Sequence, residues 1–173
     1  MDRDGTSTKG EDATKACGVA RFRIDRAGQW WHDGGLIRRE GLVRLFAGIL
    51  RREGEEHWLV TPVERERVEV EEAAFLVTTL TTTGHGADRR IEVETNVGIR
   101  AVVGPNNPLR VETTPGTGEP RPYILIRNGV EARVVRSAFY HLVELAEECQ
   151  GRLGVWSQGA FFPLGDPTDG DGV

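Results

Sequence analysis

The segment YILIRNGVEARVVRSAFYHLVELAEECQ, residues 123–150, carries three elements in succession. Residues 123–126 form a continuous apolar run, the signature of a buried strand. Arg127-Asn128-Gly129 supplies a turn, and Val130 opens a second strand reaching residue 135. Ser137 is expected to cap a helix that runs to about Gln150. Its apolar side chains Ala138, Leu142, Leu145 and Cys149 follow one helical face, widened by Phe139, Val143 and Ala146. Strands at 153–157 and 160–164 complete a hairpin–helix–hairpin unit.

Toward the N-terminus the same order is legible. In residues 20–25, Phe22 and Ile24 alternate with Arg21 and Arg23. Arg26-Ala27-Gly28 turns the chain into a strand at 29–32, and Asp33-Gly34-Gly35 breaks it. A helix is expected over 39–52, because Leu42, Leu45, Phe46, Ile49 and Leu50 recur at i, i+3, i+4, i+7 and i+8. Gly54 would end it, with Arg51 and Arg52 in a last turn whose dipole favours cations. Further strands are expected at 57–61, 67–71, 75–83, 91–95, 99–103 and 109–112. Residues 113–122, rich in Pro, Gly and Thr, suit a long loop or inter-domain connection. The expected fold class is therefore α+β, with two similar small subdomains over 17–83 and 84–165. The alternative is that hairpin–helix is a common unit met twice by chance.

Composition limits the function. The 173 residues hold 22 Lys+Arg against 27 Asp+Glu, a net charge of −5, so wholesale coating of nucleic acid is disfavoured. No apolar run approaches the roughly 20 residues that span a bilayer. The first residues lack the apolar stretch of a secretory signal, which implies a cytoplasmic protein without a membrane association. Residues 1–16 and the acidic 166–173 are too polar to bury a core and read as disordered tails. Cys17 and Cys149 stand alone, and His32, His57, His85 and His141 are dispersed, so no metal or cofactor is expected. Ser157 fails the nucleophile-elbow spacing, because its upstream glycine, Gly154, lies one residue too far.

Three features remain as chemistry. Glu64 follows Thr61-Pro62-Val63 directly after a strand, where a carboxylate could face a cleft as a general base or simply hold an arginine. Glu66, Glu69, Glu71 and Glu72 read instead as the polar side of strands. Arg38 and Arg136 each precede an expected helix, where their charge opposes the helix dipole. An anion between them would relieve that opposition, and acidic neighbours would do the same. Trp30, Trp31, Trp58 and Trp156 lie on strands beside turns, placed for core packing or for stacking on a ring.

Several of these segments together resemble a bacterial family known as domain of unknown function 1285. Ile24-Asp25-Arg26-Ala27-Gly28-Gln29-Trp30, Gly35-Leu36-Ile37-Arg38, Trp58-Leu59-Val60-Thr61-Pro62-Val63-Glu64 and Val155-Trp156-Ser157-Gln158-Gly159 carry the likeness, which covers residues 17–165. The chain departs from the family pattern at Ala74, Ile99 and Asn107. The resemblance implies a duplicated two-domain α+β fold, its second domain loosely like pleckstrin-homology folds. It also implies a ligand site at the domain interface, for a nucleotide or nucleic-acid-like ligand in signalling, and carries no implication of a particular catalytic activity. The expectation is a sensor or adaptor whose cleft is formed by Arg38, Thr61, Glu64, Asn96, Tyr123, Arg136, Trp156 and Ser157. The alternatives are an enzyme acting on a phosphorylated small molecule, with Glu64 as base, and an interaction module without a ligand.

Overall fold

The structure, a computed structural model, describes residues 19–165. The expected tails and Cys17 lie outside these. Strands dominate an α+β fold of two six-stranded sheets and one three-stranded sheet. The first sheet contains β1 (Phe22–Ile24), β2 (Trp30–His32), β3 (Gly35–Leu36), β4 (Leu50–Glu53), β5 (Glu56–Val60) and β6 (Arg65–Val70), in the order β3-β2-β1-β6-β5-β4. The helix α1 (Glu40–Ile49) joins its two halves.

The second sheet contains β7 (Phe75–Thr83), β8 (Arg90–Thr95), β9 (Arg100–Val102), β10 (Leu109–Thr113), β11 (Pro120–Arg127) and β12 (Val130–Val134). Its order, β10-β11-β12-β7-β8-β9, is that of the first sheet read from the other edge. In each sheet two antiparallel meanders meet at a parallel central pair, β1 with β6 and β7 with β12. Helix α2 (Arg136–Glu144) follows β12, and β13 (Glu147–Cys149), β14 (Arg152–Ser157) and β15 (Ala160–Gly165) form the third sheet. One contiguous core, from Phe22 and Trp30 through Phe75 and Ile124 to Leu142 and Leu164, runs through all three sheets.

Several expectations are corrected. The first helix stops at Ile49, because Leu50 turns extended (φ −70°, ψ 133°) and pairs with Leu59 in a hairpin. Gly54, at φ +61°, serves the β4–β5 turn rather than a helix end. The second helix starts at Arg136 without a side-chain cap, so Ser137 is not its cap. It ends at Glu144, and Glu147–Cys149 pairs with β14 instead of continuing it. Residues 113–122 do not connect domains, since they close the β10–β11 hairpin. The strand 75–83, assigned by sequence to the first subdomain, pairs with β8 and β12 of the second sheet. The hairpin–helix–hairpin repeat is replaced by a repeat of strand order in which the helices occupy different places: α1 sits mid-sheet, α2 after the last strand. Arg38 and Arg136 therefore do not occupy equivalent positions.

The sheets are tied at specific points. Asn128 and Gly129, at φ 52° and 74°, form the tight β11–β12 turn, where both central residues need positive φ. The Asn128 carbonyl accepts a 3.0 Å hydrogen bond from the Arg52 amide of β4. Gly28 meets the second sheet at the other end. A Cβ there would lie 2.5 Å from Asn96 Nδ2 and force that amide to shift, and the φ of +76° itself favours glycine. Among the described residues no helix is long and apolar enough to cross a membrane.

Candidate functional site

Two cavities meet at Glu72, on the connection between the large sheets. The first, of about 330 Å³, lies between β4, β5 and β6 on one side and β10, β11 and β12 on the other. Its centre is an ion-pair network. Arg110 donates from Nε to Glu131 Oε1 at 2.6 Å and from Nη2 to Oε2 at 2.7 Å, and Arg52 reaches the same carboxylate at 3.2 Å. Arg110 also pairs with Glu112, and its guanidinium lies 4.7 Å from the Tyr123 ring centroid. The Arg110 hydrogen bonds hold the Glu131 carboxyl below its usual range, against a smaller opposing effect of burial. Burial raises the Tyr123 phenol. Carboxylates outnumber guanidiniums on this lining, and the arginines are already engaged. The cavity is a structural junction rather than an anion receptor.

The second cavity, of about 370 Å³, has the opposite balance. Arg121, Arg133 and Arg136 line it against Glu72 and Glu119, and Pro120, Pro122, Phe139 and Tyr140 give it an apolar wall. Strand register builds the basic side: Arg133 on β12 stands opposite Tyr123 on β11, two residues beyond Arg121. Arg136 is the first residue of α2, whose N-cap Val135 has no side-chain oxygen to satisfy the free amides. Its Nε donates to the Tyr140 hydroxyl at 2.9 Å, one helical turn onward. Glu72, on the connection between β6 and β7, places Oε1 at 3.2 Å from Arg121 Nη2 and 3.5 Å from Arg133 Nε. Among the described residues that buried Arg133 Nε makes no hydrogen bond. Three guanidiniums beside a helix N-terminus favour an anion, and the aromatic wall favours a ring attached to it. No group of His, Cys, Asp or Glu suited to a metal occurs among the described residues.

The residues expected to share a cleft are dispersed. Arg38 is exposed, has no ion pair among the described residues, and shares with Asn96 a separate cavity of about 200 Å³ beside α1. That cavity has no residue in common with the one lined by Arg136, so the two arginines form no clamp. Asn96 is a clasp between sheets: Oδ1 accepts from the Leu76 amide at 2.9 Å, and Nδ2 donates to the Gly28 carbonyl at 3.2 Å. Thr61 and Glu64 close the β5–β6 hairpin. Thr61 Oγ1 accepts from the Glu64 amide at 3.0 Å, and the Thr61 amide donates to the Glu64 carbonyl at 2.9 Å. The Glu64 side chain is exposed and lines no described cavity, which removes the geometry a general base requires. Trp156 packs on Phe161 at 5.3 Å. Ser157 is fully buried; its Oγ donates to the Val103 carbonyl at 2.6 Å and accepts from the Ile91 amide at 3.0 Å.

Tyr123 and Arg136 thus lie in neighbouring cavities that share Glu72, Tyr123 between the sheets and Arg136 beside α2. Sequence reasoning missed Arg121, Arg133 and Glu72. Arg133 alternates with buried Ala132 and Val134, which marks it as outward-facing, but the register that brings it beside Arg121 is not written locally. Glu72 reads as a solvated strand residue, whereas its side chain is only 14% exposed.

Comparison with known proteins follows the same boundaries. The model of the DUF1285 N-terminal domain, a domain of unknown function, matches residues 13–73. That of the DUF1285 C-terminal domain, from proteins of unknown function, matches residues 74–164. The crystal structure of a DUF1285 family protein from Silicibacter pomeroyi DSS-3 is similar at 41% identity and a TM-score of 0.82, over 87% of this chain and 82% of that one. A DUF1285 family protein from Shewanella baltica OS155 is similar at 26% identity and a TM-score of 0.59, over 73% of this chain and 92% of that one. No curated protein matches.

Proposed function

This chain belongs to the DUF1285 family, and from that premise we propose that it binds a small anionic, ring-bearing ligand of nucleotide-like chemistry and acts as a sensor or adaptor without catalysing a reaction. The observation that carries this is the convergence of Arg121, Arg133 and Arg136 on one cavity walled by Phe139 and Tyr140. The anion would take the guanidiniums and the free amides of α2, and the ring would lie on the aromatic wall. Arg38 and Glu64 have no part in this reading, so the alternative of an enzyme with Glu64 as its base is not the one favoured. The shared strand order of the two large sheets supports an origin by duplication. Paired meanders closed by α2 support the likeness of the second unit to pleckstrin-homology folds.

Calorimetric titration with nucleoside monophosphates tests the reading. A charge-assisted hydrogen bond contributes about 1.5–3 kcal/mol, so Arg136→Ala and Arg133→Ala should each weaken binding on the order of ten- to a hundredfold. Unchanged affinity in both variants would refute it.

A further inference from the structure

We infer that Glu72 is a built-in competitor for the ligand's anionic group, and that the group it stands in for is a tetrahedral oxyanion, a phosphate monoester. This rests on the assignment of the Arg121–Arg133–Arg136 cavity as an anion site. A single oxygen, Oε1, serves two guanidiniums, at 3.2 Å to Arg121 and 3.5 Å to Arg133. Both separations exceed the roughly 2.7–2.9 Å of a charge-assisted hydrogen bond. The carboxylate is held between the arginines and satisfies neither fully, which leaves the buried Arg133 Nε without a hydrogen bond. Arg136, on a third element, is turned to Tyr140.

Arginines on β11, β12 and α2 present donors from three directions. A planar carboxylate has two oxygens and cannot meet all three, whereas a phosphate monoester offers three. Binding of the phosphate therefore displaces Glu72. Its carboxylate also lines the neighbouring cavity between the sheets, where acidic side chains already prevail, and it sits on the chain connection from the first large sheet to the second. Occupancy of the basic cavity is thereby transmitted to the sheet junction as a relocated negative charge.

Adenosine 5′-monophosphate is the probe, titrated calorimetrically into wild type, Glu72→Gln and Arg136→Ala. Glutamine keeps the size and the acceptor oxygen but removes the charge that opposes the phosphate. Glu72→Gln should tighten binding about three- to tenfold, while Arg136→Ala weakens it; binding to Glu72→Gln alone also supports the competitor. If wild type binds and Arg136→Ala weakens binding but Glu72→Gln leaves it unchanged or weaker, the competitor role falls and the site stands. Absence of binding in wild type and Glu72→Gln alike overturns both. A crystal structure of wild type with the nucleotide gives a second readout that needs no variant. Glu72 Oε1 should have left both arginines, and its retention between them with nucleotide bound overturns the inference.

Discussion

Ser157 and His57 show how differently two polar side chains can serve the interior. Ser157 joins the third sheet to the second by bridging a carbonyl and an amide, so its hydroxyl is spent on structure. His57 stands beside Arg52 across the β4–β5 ladder and near Glu131. Burial first, and then the Arg52 charge, lower its imidazole from the ordinary 6.5 to about 4, against the opposing pull of Glu131. The unfolded chain takes up this proton as pH falls through about 6.5, while the folded chain resists until about 4. The contribution of neutral His57 to stability is thus intact above 6.5 and declines as pH drops toward 4. His57→Gln should flatten the fall in urea midpoint between about pH 7 and pH 4.5. An undiminished fall in the variant would assign the acid sensitivity elsewhere.

Among the elements, α1 departs furthest from its sequence pattern. Leu42, Leu45 and Phe46 suggest one continuous apolar face, yet Leu45 is 61% exposed and Leu42 37%. The buried side runs instead through Ala47, with Phe46 against Phe22 and Trp30. In α2, by contrast, Leu142 is fully buried. Leu142→Ala should cost about 2–5 kcal/mol, and Leu45→Ala no more than about 0.5 kcal/mol, as at ordinary surface sites. Equal losses in urea melts would contradict this division of the two helices. The strands were legible because alternation, as in Phe22-Arg23-Ile24, is a local property. The helix ends were not. Leu50 continues the helical spacing from Phe46, and only its pairing with Leu59 across a distant hairpin makes it a strand. The candidate site follows the same logic: Arg136 is marked by its position before a helix, while Arg121 and Arg133 become neighbours only through sheet register.

At the scale of the molecule, the two large sheets are not independent bodies. Arg52 bonds the Asn128 carbonyl and the Glu131 carboxylate, Asn96 holds Gly28, and a single apolar core passes through both. Unfolding should therefore be one transition. Trp30, Trp31 and Trp58 report on the first sheet and Trp156 on the third. In urea, tryptophan fluorescence of Trp156→Phe should coincide with far-ultraviolet circular dichroism of the whole. Two separated midpoints would show that the sheets melt independently.

The parallel pair at the centre of each large sheet also governs how the chain acquires its shape during synthesis. Because β7 and β12 are the first and last strands of their sheet, a nascent chain grown only through Thr113 holds β7 without its parallel neighbour. The inner edge of that meander stays open until β12 emerges from the ribosome. Long-range pairings of this kind form late and slowly. The interval in which an unpaired, β-branched edge is exposed is therefore set by the rate of translation across residues 84–134, and that interval is when the chain is most open to capture by another copy or by a chaperone.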